Sequence, residues 1–113
     1  MSLKRFILFG ITAGGLILLT AEAPAPRGDA RSGKAVYDRY CASCHGKRGE
    51  GMGASLKMSN FSAPQYQESR TDQELYDRIS KGGEGTGMPA WNKKLSQQDH
   101  WNLVAYIRTL AVK

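Results

Sequence analysis

Cys41-Ala42-Ser43-Cys44-His45 concentrates the reactive chemistry of this 113-residue chain, and Cys41 and Cys44 are its only thiols. Three chemistries suit two cysteines at this spacing with a histidine beside them. The thiols can add across the two vinyl groups on one side of a porphyrin, and the adjacent imidazole can then reach the iron. That is the C-x-x-C-H arrangement of covalent c-type haem. They can instead pair as a disulfide or work as a C-x-x-C thiol-exchange couple, which leaves His45 without a role. A zinc site would need His45 and His100 to complete a Cys2His2 set, and these lie far wider apart than the roughly three to five residues between zinc-finger histidines. Haem attachment uses all three residues of the motif.

Iron in an electron carrier takes a second axial ligand. Met88, in Gly85-Thr86-Gly87-Met88-Pro89-Ala90-Trp91, is the best candidate, because a thioether favours reduced iron and raises the potential. The glycines before it permit close backbone approach to a flat ligand, and Pro89 limits the loop's freedom. A lone methionine otherwise reads as a packing residue. Met52 and Met58 are rivals, but they follow His45 so closely that the chain would have to round the haem edge almost at once. His100 would supply a second imidazole, yet its place in the first turn of a helix predicts a surface residue.

Three helices and no strand are expected to position these groups. Asp29 can cap a helix running to about Tyr40, with Val36, Tyr37 and Tyr40 at helical spacing. Thr71-Asp72-Gln73-Glu74 is a capping box opening a helix through Leu75, Tyr76 and Ile79 that stops at Gly82-Gly83. Ser96-Gln97-Gln98-Asp99 has the same form and opens the last helix, where Leu103, Tyr106, Ile107 and Leu110 make an apolar stripe. Two glycine clusters, 46–53 and 82–87, flank the candidate ligands.

The N-terminus predicts export. Lys4 and Arg5 precede an uncharged stretch, Phe6–Leu19, of signal-peptide length and too short for the ~17–25 residues of a membrane span. Ala21-Glu22-Ala23 fits a small-residue cleavage site, but the following Pro24 makes cleavage there poor, so residues 1–23 are either a signal peptide or an uncleaved anchor. Residues 24–28 form a Pro-rich linker, and 29–113 the working domain. A domain of that size buries a thin core and invites a cofactor to complete it. With 41% hydrophobic and 23% charged residues, the chain is neither disordered, collagen-like nor multispanning.

The chain carries 16 basic and 10 acidic residues, a net +6; without Lys4, Arg5 and Glu22 the balance is +5. Lys47, Arg48, Lys57, Lys81, Lys93 and Lys94 fall near the loops that would frame the haem. Such a rim steers a protein toward acidic faces of redox partners or serves solubility alone. Export separates the protein from nucleic acid.

These features together resemble the class I single-haem cytochromes c, from Asp29 to Lys113. Gly33-x3-Tyr37-x3-Cys41 is similar to that family's first helix and Leu103-Val104-Ala105-Tyr106 to its last. The resemblance implies an all-α fold of three main helices around one covalently bound haem, with Gly33 and Tyr37 crossing against Leu103 and Tyr106. It implies one haem c held by Cys41 and Cys44, with His45 and Met88 as axial ligands and no position left for a substrate. The Met88-Pro89-Ala90-Trp91 loop resembles bacterial members, among them haem-bearing subunits of oxidases and dehydrogenases. The implied role is a single-electron carrier outside the cytoplasmic membrane. The alternative is a haem subunit of a larger complex, tethered through residues 6–21. The family often uses a proline carbonyl to accept a hydrogen bond from the axial histidine. No proline lies between His45 and Pro64, so that acceptor has no sequence assignment.

Overall fold

A computed structural model describes residues 27–51, 58–83 and 85–112. The export segment at 1–23, the linker up to residue 26, Met52 and Lys57 lie outside them. The described residues form five helices: α1 (Ala30–Tyr40), α2 (Ala42–His45), α3 (Pro64–Ser69), α4 (Asp72–Lys81) and α5 (Gln97–Thr109). Among them there is no strand, only an isolated antiparallel bridge between Gly83 and Met88.

The three main helices start where their caps predict. The Asp29 carboxylate accepts from the Arg31 amide at 3.2 Å and the Ser32 hydroxyl at 2.6 Å. Those bonds, Ser32's above all, hold its carboxyl below the ordinary range. Thr71 and Glu74 satisfy each other's amides at 3.1 and 3.0 Å, and Ser96 and Asp99 do the same at 3.0 and 3.1 Å. At the far end of α4, Gly82 turns the chain with φ of 75°.

α1 crosses α5 at a point where no side chain fits. A Cβ at Gly33 would lie 1.9 Å from the Asn102 carbonyl oxygen and 3.0 Å from Tyr106 Cβ. Backbone approach there lets Tyr37 and Leu103 bury completely, with the Tyr37 and Tyr106 rings 5.1 Å apart. The expected crossing is therefore present, and its nearest contact is the backbone of Asn102. The Asn102 side chain closes the junction, its Oδ1 accepting from the Asp29 amide at 2.8 Å and from Gln98 at 2.9 Å. Gly28, one residue before the expected domain start, already packs on α5, since a Cβ there would meet the Trp101 carbonyl oxygen at 1.8 Å.

Leu75 and Ile79 of α4, with Val104 and Ile107 of α5, extend this core toward Phe61 and Leu95. α3 was not foreseen. Pro64 suits its first position, but Gln65–Ser69 carries no apolar stripe. Tertiary hydrogen bonds hold it instead: Gln67 Nε2 donates to the carbonyls of Phe61 (2.6 Å) and Ile107 (3.0 Å). Arg108 donates to Gln67 and to the Asp72 carboxylate at 2.8 Å.

Candidate functional site

The helices surround a cavity of about 420 Å³ whose walls include Tyr37, Cys41, His45, Met58, Phe61 and Met88. Leu75 and Ile79 of α4 and Leu103 and Ile107 of α5 supply the rest of its apolar surface. Its size falls within the ~300–1,000 Å³ of small-molecule and cofactor sites.

α1 delivers the motif to this cavity. Tyr37 anchors the turn below it, its hydroxyl donating to the Gly46 carbonyl at 2.7 Å. Burial pushes that phenol's pKa well above the usual tyrosine range. The Cys44 and His45 amides both donate to the Cys41 carbonyl, at 3.2 and 2.9 Å, so Cys41, Cys44 and His45 are wound into one tight turn. Both cysteines are free thiols, Cys41 half-buried in the cavity wall and Cys44 exposed. Burial, and then the neighbouring Cys44, pushes the Cys41 thiol up to about 11.

His45 is the one imidazole in the cavity wall. Burial lowers its pKa, which keeps the ring in the neutral form that binds metal. Its Nδ1 is buried with no hydrogen-bond partner among the described residues, and its ring stacks on Phe61 with centroids 4.8 Å apart and planes 24° from parallel. Sequence reasoning missed Phe61. The available signal was a lone large apolar residue in the polar stretch Ser59–Ser62.

Met88 reaches the cavity from the loop after α4. Gly83 and Met88 pair across that loop, the Gly83 amide donating to the Met88 carbonyl at 3.1 Å. The Thr86 hydroxyl donates to the Gly83 carbonyl at 2.6 Å and accepts from the Met88 amide at 3.3 Å. Gly85 and Gly87 take φ of 76° and 84°, a conformation that favours glycine. The loop's exit is pinned to α4, since the Trp91 amide donates to the Ile79 carbonyl at 3.0 Å.

Met58 also lines the cavity, but from the His45 side. The Gly51 amide donates to the His45 carbonyl at 2.9 Å, and a Cβ at Gly51 would lie 2.7 Å from the Met58 carbonyl oxygen. Met58 thus belongs to the segment that packs behind His45, whereas Met88 arrives from an independent loop. The expectation for His100 is corrected. It is 2% exposed, tucked between α4 and α5 with its ring 4.9 Å from Tyr76, and it is absent from the cavity wall. Its register with Leu103, Val104 and Ile107 on one face of α5 was the signal for burial.

Of the expected basic rim, Lys81 borders the cavity, joined there by Arg70 and Arg78, which the sequence did not single out. Lys94 lies over the Tyr40 and Trp91 rings, 5.2 and 5.7 Å from their centroids, and the glycine-rich turn after His45 exposes Lys47 and Arg48.

The donor set fits the group that the motif implies. Two free thiols sit in one turn, a half-buried imidazole and a thioether share one cavity, and Leu75, Ile79, Leu103 and Ile107 give its walls an apolar share. A small all-helical shell with this site is a c-type cytochrome. The family described as "Cytochrome C oxidase, cbb3-type, subunit III" matches residues 28–107, and the chain belongs to that family. It is 38% identical over 89 residues to cytochrome c-554(547) of Halothiobacillus neapolitanus, covering 74% of this chain and 98% of that one. It is 31% identical to the cbb3-type cytochrome c oxidase subunit CcoP of Azospirillum sp. (strain B510), covering 76% of this chain but only 30% of the subunit. The crystal structure of cytochrome c6 from the diatom Phaeodactylum tricornutum aligns with a TM-score of 0.58 and 26% identity, over 74% of this chain and 95% of that one. The protein is therefore an electron-transfer cytochrome with one covalently bound haem c, held through Cys41 and Cys44.

Proposed function

We propose that the protein is a class I, GMPAW-loop cytochrome c that carries single electrons in the periplasm, with His45 and Met88 as axial ligands. The observation that carries this reading is the meeting of Cys41, His45 and Met88 in one cavity, beside the apolar side chains of Leu75, Ile79, Leu103 and Ile107. The bound haem supplies one-electron chemistry at its iron. The chain's own residues do the rest. Cys41 and Cys44 fix the group to one turn, and His45 presents a neutral nitrogen. Met88 offers a soft sulfur that favours the reduced state. Leu75, Ile79, Leu103 and Ile107 exclude water from the same space. With His45 and Met88 both holding the iron, no position would remain there for a substrate.

The relatives favour a free carrier over a tethered subunit. The chain is 38% identical to cytochrome c-554(547) and 31% identical to CcoP. The docking partners proposed here are redox proteins with acidic faces, met by the exposed Lys47, Arg48, Lys93 and Lys94. Denaturation of the holoprotein in acidic organic solvent tests the attachment: haem stays with the polypeptide, and Cys41→Ser with Cys44→Ser releases it. Free haem from the unaltered protein contradicts the reading. Cell fractionation with mass measurement of the N-terminus tests the location and separates a cleaved carrier from an anchored subunit.

A further inference from the structure

An axial histidine must be held in one ring plane, and metal-bound histidines ordinarily achieve this by donating the second ring N–H to a carbonyl, carboxylate or water. The Nδ1 of His45 is buried and has no hydrogen-bond partner among the described residues. What touches the ring is Phe61, stacked at 4.8 Å and 24°, within the spacing at which offset aromatic pairs attract.

Phe61 is itself immobilised from several directions. Its amide donates to the Gly49 carbonyl at 2.6 Å, and its carbonyl accepts from Gln67 Nε2 at 2.6 Å. Its ring lies 5.4 Å from that of Tyr66. On the other side the Gly49 backbone presses close, since a Cβ there would come within 2.9 Å of Phe61 Cβ. Gln67 is fixed in turn by Arg108 Nη1, which donates to its carbonyl at 2.6 Å and to its Oε1 at 2.9 Å. An unbroken set of contacts therefore runs from the end of α5, through α3, to the imidazole.

We propose that Phe61 is the positioning residue for His45: stacking sets the plane of the axial imidazole, and the Gln67–Arg108 brace holds Phe61 in place. This rests on the reading of His45 as an iron ligand. It explains why α3, a polar helix with no apolar stripe, is docked by side-chain hydrogen bonds to the Phe61 and Ile107 carbonyls.

Proton NMR of the oxidised holoprotein tests it, because the pattern of the four haem-methyl shifts follows the orientation of the axial ring. Phe61→Leu keeps apolar bulk and removes the flat surface; it is expected to reorder or compress those shifts while haem attachment and the sulfur-to-iron band persist. Phe61→Tyr keeps the ring and retains the original pattern. Gln67→Ala moves the pattern in the same direction as Phe61→Leu, by less. A folded Phe61→Leu protein with unaltered methyl shifts overturns the proposal, since a residue that only packs would lower the melting temperature without turning the imidazole. Should Phe61→Leu not fold, Gln67→Ala decides: a displaced pattern supports the brace and an unmoved one overturns it. Failure of the ligation reading has its own signature, an unaltered protein whose His45 ring protons show no paramagnetic shift.

Discussion

The two candidate axial ligands are held in opposite ways. His45 sits at the end of a rigid assembly, in which Gly33 lets α1 press on α5, Tyr37 ties down the turn after the motif, and Phe61 covers the imidazole. Met88 sits in a loop held by a few backbone bonds and the Thr86 hydroxyl, and Cβ atoms at Gly85 and Gly87 would meet nothing within 4 Å. The histidine side is thus part of the fold, and the methionine side is an attachment to it. Damage on the first should cost folding and haem retention. Damage on the second should alter ligation and potential in a protein that still folds.

The largest expected effect is at the crossing. Gly33→Ala places a Cβ against the Asn102 carbonyl, and α1 must separate from α5, at a cost of about 3 kcal/mol or more. Denaturant unfolding and the yield of haem-loaded protein measure it; an unchanged midpoint would show that the crossing is loose. Tyr37→Phe removes the 2.7 Å bond to the Gly46 carbonyl, which keeps the Gly49 amide at 3.0 Å, with an expected loss of about 1 kcal/mol and little change in potential. A Tyr37→Phe protein that lost the methionine band while keeping its stability would reverse the comparison.

Much of this division was legible in the sequence, and particular residues show why the rest was not. Asp29, Thr71 and Ser96 announced their helices because capping is local chemistry: a side-chain oxygen meets an amide two or three residues away. The crossing at Gly33 and Tyr37 was legible only through the family resemblance, because a glycine in a helix does not by itself name the helix it will meet. α3 was invisible because its partners, Phe61 and Ile107, lie elsewhere in the chain. Phe61 was passed over because its meaning comes from His45, which it meets only after the intervening loop has folded back. His100 was misplaced because its position in the first turn of the last helix outweighed its register with Leu103 and Ile107.

Smaller effects are expected on the methionine side. Thr86→Ala removes the hydroxyl that closes the Met88 turn, so external ligands such as cyanide should bind the oxidised protein several-fold faster, with a change in unfolding free energy of about 1 kcal/mol or less. Equal cyanide rates would mean that the backbone pair alone holds the loop. The smallest effect should be the acid response of the caps. Hydrogen bonds hold the Asp29 and Glu74 carboxyls below their ordinary values of 3.8 and 4.5. The stabilisation is full above about pH 5 and is lost as pH falls through the lowered values, because the unfolded chain takes up those protons first. Asp29→Asn with Glu74→Gln should flatten the acid limb of a stability-against-pH curve, and an unaltered limb would assign acid sensitivity to other groups.

The central claim, that Met88 and not its neighbour in the cavity binds the iron, is tested most directly by the long-wavelength sulfur-to-iron absorption of the oxidised holoprotein. Met88→Ala and Met58→Ala are to be compared, since both methionines line the cavity. Met88→Ala is expected to abolish the band and lower the reduction potential, because reduced iron loses its preferred ligand, while Met58→Ala keeps both. Loss of the band in Met58→Ala with its retention in Met88→Ala would contradict the account.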